Sequence, residues 1–298
     1  MLEAKIERKL ESITDLPVVP TYIGKILRAL DNTDIRAKKL AEYIEKDQAL
    51  TIKILRAANS PWYGQKGKIA TVDLAIIIMG LNTIKEIVIG MLVDKFFSKT
   101  PAYLFDINSF WNYSLFCGST SRLLARKTNY KKAGEAFVAG LMHDIGILII
   151  IQYFTYEFKE IKQLVESGKF DMIKAEELVL GNNHAEIGAW MAKKWNLPDQ
   201  LINSVKYHHI PKKELDIQLD QETISLTRIV SASEWFANFL GFRTWTSEQD
   251  KPKLFATGDD ILDFIDDDIL DLSSQIAIMK HEMMREFERA SEFNPNPI

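Results

Sequence analysis

Residues 135–151 read Glu-Ala-Phe-Val-Ala-Gly-Leu-Met-His-Asp-Ile-Gly-Ile-Leu-Ile-Ile-Ile: a small-residue segment, a His-Asp doublet, then an unbroken apolar run. Small residues on successive helical turns suit close helix packing, and the run from Ile145 to Ile151 belongs in a core. A solvated charge pair is not expected between two such segments, so His143 and Asp144 read as facing inward. Burying an unpaired carboxylate costs several kcal/mol or forces it to protonate, and the usual resolution is a hydrogen-bonded cation or a metal ion.

Working outward, His184 and the neighbours His208-His209 are three further imidazoles able to join that carboxylate, while His281 lies in an unrelated charged segment. Imidazole and carboxylate donors suit Zn, Fe, Mn or Ni, and helical folds assemble such sites from several elements. The plainer alternative is that each histidine caps a helix or satisfies a local hydrogen bond. Spacing does not choose between the two.

The 298-residue chain is 47% apolar, enough for a substantial core. Helix formers dominate, strand-like alternation is scarce, and the 14 Gly and 9 Pro are too few for a turn-rich all-β chain. The fold class expected is all-α. Cys117 is the single cysteine, which excludes an internal disulfide. The charged start over residues 1–10 is not a secretory segment, and a reducing cytoplasm is the expected location. The apolar stretches 74–81 and 145–151 fall short of the roughly 18 residues a bilayer span needs, so no span is expected.

Charge is uneven: residues 1–100 carry 16 Lys+Arg against 12 Asp+Glu, and residues 214–298 carry 7 against 18. With a net charge of −4, strong salt-dependent nucleic-acid binding is not expected. Seven aspartates between Asp259 and Asp271 interleave with apolar residues and read as an amphipathic helix pair with a solvated face.

Along the chain, Pro17 and Pro20 open a helix, apolar stripes follow Asp34 and Asp47, and Thr71 with Asp73 marks another helix start. The helix from Ile84 to Phe97 is apolar on most faces, and residues 98–106 with Pro101 make the best internal boundary. Asp47-Gln48-Ala49-Leu50-Thr51 has a superficial helix-turn-helix look with Lys53 and Arg56 on the second helix; a capped core helix with a wet outer face explains the same residues. In the helix from Phe110, Tyr113, Phe116, Cys117, Thr120 and Leu124 share one face, which makes Cys117 a buried small hydrophobe. Helices are also expected over His184–Trp195, from Asp199 to the paired histidines, and over Ile224–Leu240.

Taken together, Leu16-Pro17 to Tyr63-Gly64, the run from Gly140 to Gly146, the His184 helix ending Trp195-Asn196-Leu197-Pro198, and Tyr207-His208-His209 resemble the HDOD family over roughly residues 13–213. The resemblance implies a helical bundle like that of HD phosphohydrolases, with an N-terminal helical subdomain at about 1–100 and an HD-like subdomain with an acidic extension at 101–298. It also implies a bacterial signalling domain, generally without catalysis. Carried over residue by residue, the metal donors would be His143, Asp144, His184, His208 and His209, with Glu234 at the position of a final aspartate. Tyr113 stands where HD enzymes have their first histidine, and a neutral phenol is a poor ligand. Ile147 follows Asp144-Ile145-Gly146 where those enzymes have lysine, and His208-His209-Ile210-Pro211 lacks the Gly-Tyr-Pro signature of cyclic di-guanylate hydrolases.

Three functions follow as expectations. The first is a regulatory module that engages signalling proteins without turnover, its histidines forming a residual metal site or a hydrogen-bond network. The second is a metal-dependent phosphohydrolase with His143, Asp144, His184 and His208 as ligands. The third is nucleic-acid binding through the Lys53 and Arg56 helix.

Overall fold

The computed structural model describes residues 4–13, 35–63, 69–97, 105–211, 219–242 and 276–291, with a few isolated positions besides. No strand occurs among the described residues, as the composition requires of an all-α chain. Helices α1 (Ala4–Glu11), α2 (Ala37–Ile44), α3 (Gln48–Ala58), α4 (Val72–Met79) and α5 (Leu81–Phe97) form the N-terminal group. They are followed by α6 (Ile107–Lys127), α7 (Ala133–Met142), α8 (Ile145–Tyr153), α9 (Thr155–Glu166) and α10 (Met172–Leu180). Then come α11 (His184–Lys194), α12 (Asp199–Tyr207), α13 (Gln221–Phe239) and α14 (Ile276–Ser291). The expected helix start at Pro17, the turn around Gly64 and Gly67, the boundary residues 98–104 and the aspartate-rich segment 259–271 lie outside the described residues.

Helix starts follow carboxylate and amide caps. Asp47, Asp106, Asp171 and Asp220 each accept the amide N–H three residues on, at 2.8–3.0 Å, satisfying donors that a helix N-terminus leaves open. Thr71 occupies the expected cap of α4 but makes no side-chain cap bond. Its hydroxyl is engaged by Asp73, whose carboxylate also takes the Leu74 amide, so the acid rather than the hydroxyl serves this terminus. Gly80 ends α4 at φ +79°, a region only glycine enters without strain.

The site rests on α6, buried from Phe110 to Ala125 except at Asn112. It packs against α7, α13 and α14, while α11 packs against α8 and α12. Two glycines set these distances. A Cβ at Gly140 of α7 would press on the Ser121 hydroxyl and the Cys117 carbonyl of α6, and one at Gly146 of α8 would collide with the carbonyl of His184 on α11. Cys117 itself is fully buried, as the shared face predicts.

Residues 133–153, taken as one stretch, reach the length and hydropathy a membrane span would have, which the 145–151 run alone does not. In this fold 94% of that apolar window is buried among other helices, and the doublet breaks the stretch into α7 and α8.

Candidate metal centre

His143 follows the last residue of α7, and His208 follows the last residue of α12. Both use the same local device. The Nδ1 of His143 lies 2.8 Å from the Gly140 carbonyl, and that of His208 lies 2.7 Å from the Val205 carbonyl, each three residues back. A helix C-terminus leaves its last carbonyls without amide partners, and here an imidazole N–H donates to one of them. That bond fixes the neutral ring as the Nδ1–H tautomer and leaves Nε2 as a free lone pair.

Asp144 sits between α7 and α8 and faces these rings with its carboxylate. Its Oδ2 is 3.4 Å from His143 Nε2, and its Oδ1 is 3.1 Å from His184 Nε2 and 3.4 Å from His208 Nε2. His184 opens α11, and its Nε2 also lies 3.0 Å from Nε2 of His209. Glu234 approaches from α13, with Oε2 3.9 Å from His209 Nδ1. The donor atoms fall into two overlapping groups, Asp144-His184-His208-His209 and His143-His208-Glu234, each within 4.8 Å internally. The six side chains expected from the sequence therefore do converge, and His281, exposed on α14, does not join them.

Burial sets the electrostatics. His143 is fully enclosed, and burial pushes its pKa down to about 4, so the ring is neutral near pH 7. Burial also pushes His209 well below the usual imidazole range. Burial alone would raise Asp144, but the facing imidazoles of His143, His184 and His208 override it and hold the carboxyl well below its ordinary range. For His184, burial opposes the charge, yet Glu176 and Asp144 on either side raise its pKa well above the usual value. Glu234, buried and close to the Asp144 charge, is lifted to about 8. Tyr113 is buried with its ring centroid 5.7 Å from that of His143. Burial and the nearby Glu234 raise its phenol well above the usual range, so it stays protonated.

Chemically, this is a buried carboxylate ringed by imidazole nitrogens. His143 Nε2 and His208 Nε2 are both buried without a hydrogen-bond partner, and Asp144 Oδ1 has only the His184 ring within 3.1 Å. Orphaned buried acceptors cost about 1–3 kcal/mol each, and a cation placed among them would satisfy both while neutralising the Asp144 charge. The donor set thus fits a divalent transition metal.

Glu176 is a site residue that the sequence reading missed. On α10 it is fully buried and bonds His184 twice, its Oε2 lying 2.7 Å from Nδ1 and accepting the backbone N–H at 2.8 Å. The signal was present: Met172, Ala175, Glu176, Val179 and Leu180 follow the i, i+3, i+4, i+7, i+8 pattern of an inward helix face. Its neighbour Glu177 instead faces the surface, paired with Lys174 at 3.2 Å.

The bundle and its enclosed histidine cluster are those of an HD-like helical domain. The chain belongs to the HDOD domain family, whose sequence pattern matches residues 16–211. An HDOD domain protein of unknown function from Geobacter sulfurreducens has a similar fold, with a TM-score of 0.71 at 23% identity, over 94% of this chain and 96% of that one. A Shewanella amazonensis SB2B protein, provisionally named a phosphohydrolase, gives 0.70 at 24% identity over 95% and 97%. An uncharacterized protein of Treponema pallidum (strain Nichols) is 23% identical over 200 residues, covering 67% of this chain but 38% of its own length. The chain spans less than half the length of the curated relatives it matches.

Proposed function

We propose that this chain is a signalling module of the HDOD type that holds one or more divalent transition metal ions at a buried centre and acts through contacts with signalling proteins, without turnover. The observation that carries the metal is the pair of orphaned acceptors, His143 Nε2 and His208 Nε2, turned toward the Asp144 carboxylate. Zn, Fe, Mn or Ni would each suit imidazole and carboxylate donors. Such an ion would supply positive charge to the Asp144 carboxylate and Lewis acidity at the centre.

The chain's own residues favour holding over turning over. His143 and His208 are locked by their helix-end carbonyls, and both rings are at most 1% exposed. Where HD enzymes carry lysine after the doublet, Ile147 is buried at 3%, so a cation that would steady phosphate charge is missing there. Tyr113 offers a protonated phenol where those enzymes offer an imidazole.

A metal-dependent phosphohydrolase is the second reading, favoured by two donor groups that share His208, with Asp144 turning Oδ2 to His143 and Oδ1 to His184. Duplex binding has weaker support: Lys53 of α3 lines a cleft that also holds Glu86, and the net charge of −4 favours no broad basic face.

The test is the metal content of untagged protein purified without chelator, measured by mass spectrometry beside Asp144→Ala, with phosphoester hydrolysis assayed on both. Near-stoichiometric metal lost in the variant, with no turnover in either, is expected. Metal-free, well-folded wild type would overturn the metal centre. Hydrolysis by the wild type that Asp144→Ala abolishes would replace the regulatory reading with the enzymatic one.

A further inference from the structure

We infer that Glu176 is a positioning residue of this centre: by accepting the Nδ1–H of His184 it fixes that ring so that Nε2 is presented to the ion. The inference rests on the metal-binding reading above. His143 and His208 obtain their orientation from helix-end carbonyls, but His184 is the first residue of its helix and has no spent carbonyl three residues behind it in α-geometry. Its ring must be held by something outside the helix, and Glu176 reaches across from α10 to do so.

Three observations separate this from an incidental buried acid. Both recorded bonds of Glu176 go to His184, one to the ring and one to the backbone N–H, and both end on Oε2. Its other oxygen, Oε1, is buried without a partner, so no second element recruits the side chain. Gly181, in the left-handed region at φ +75°, turns the chain directly from α10 into the Asn182-Asn183 link and α11, which brings residues 176 and 184 together. The N-terminus of α11 is already capped by Asn183, whose side chain accepts the Glu186 amide at 3.1 Å, so capping does not account for the ring contact. A carboxylate behind a ligating imidazole raises its basicity and fixes its tautomer, and removing one typically weakens metal affinity 10- to 100-fold.

The experiment titrates chelator-stripped full chain with Co2+, following ligand-field absorption, for wild type, Glu176→Gln and Asn183→Ala. Glu176→Gln keeps an acceptor but removes the charge, and Asn183→Ala removes only a helix cap. The expected result is Co2+ affinity about 10-fold or more weaker in Glu176→Gln and near wild type in Asn183→Ala, whose thermal midpoint alone falls. Equal affinity in Glu176→Gln and wild type overturns the inference while leaving the metal centre standing. Absence of Co2+ binding to wild type overturns the metal centre and the inference with it. Should Glu176→Gln not fold, Glu176→Asp decides, since it withdraws the carboxylate by one methylene: wild-type affinity there overturns the inference, and a comparable loss supports it.

Discussion

The α-carbon of Gly146 faces the backbone carbonyl of His184 with no room between them for a methyl group. This contact sets the distance between the helix that follows Asp144 and the helix that opens with His184. Gly146→Ala must push α8 and α11 apart, and overpacking of this kind typically costs about 1–3 kcal/mol. Chemical denaturation should show that loss, and metal analysis should show reduced occupancy, because Asp144 and His184 separate with their helices. A variant with unchanged stability would mean that the backbones yield more easily than their packing implies.

The buried Glu234 carboxyl should make the metal-free protein progressively less stable as pH rises from about 4.5 to about 8. Across that window the folded state keeps the Glu234 proton, whose pKa is lifted to about 8, while the unfolded chain has released it, so folding takes up a proton and alkali opposes it. Glu234→Gln removes this penalty. Urea unfolding at pH 8 should find the variant more stable than wild type by an amount on the order of a few kcal/mol, with the difference vanishing near pH 4.

His143 acts in the opposite direction. Its pKa near 4 in the fold means that the unfolded chain binds a proton first as pH drops below about 6.5, so stability is lost between about 6.5 and 4. His143→Gln should flatten that acid limb in the same unfolding series. An unaltered limb would place the acid sensitivity elsewhere.

Tyr113→His would put an imidazole beside His143 and Glu234 in place of a protonated phenol. Metal per chain should rise, and if turnover is latent in this scaffold, phosphoester hydrolysis should become detectable. Unchanged stoichiometry would show that the ring position, not the phenol, limits the His143-His208-Glu234 group.

Arg122, 3% exposed, is held between Glu86 at 2.5 Å and Glu286 at 3.0 Å. Arg122→Met should cost about 3–5 kcal/mol, since it strands two acids in a poorly solvated place. Adding Glu86→Gln should recover part of the loss, because burial already pushes the Glu86 pKa up. Equilibrium denaturation of the single and double variants checks both steps.

The apolar run after the doublet, the apolar stripes and the cap at Asp47 are local properties, and they placed most helices to within a few residues, whereas the caps at Asp106 and Asp220 emerged only in the fold. That Asp144, at the mouth of an apolar run, needs a partner was legible from residue type, but spacing left each histidine a local role as well, and the set His143, His184 and His208 came from the family resemblance. Glu176 was not legible from residue type, since a Glu-Glu pair on a helix is ordinarily solvated; only the helical period singled out its first member. The tautomer locks were also hidden, because they depend on helices ending at Met142 and Tyr207, and such end points are set by packing.

Helix α6 carries Tyr113 beside the histidines and, nine residues on, the Arg122 side chain that grips α14 through Glu286. At 1.5 Å per residue the two points lie about 13 Å apart on one rod. A hydrogen-bonded helix does not stretch, so the two ends move as one lever. Helix α14, the last among the described residues and distant in sequence from every histidine of the cluster, is thereby mechanically connected to it.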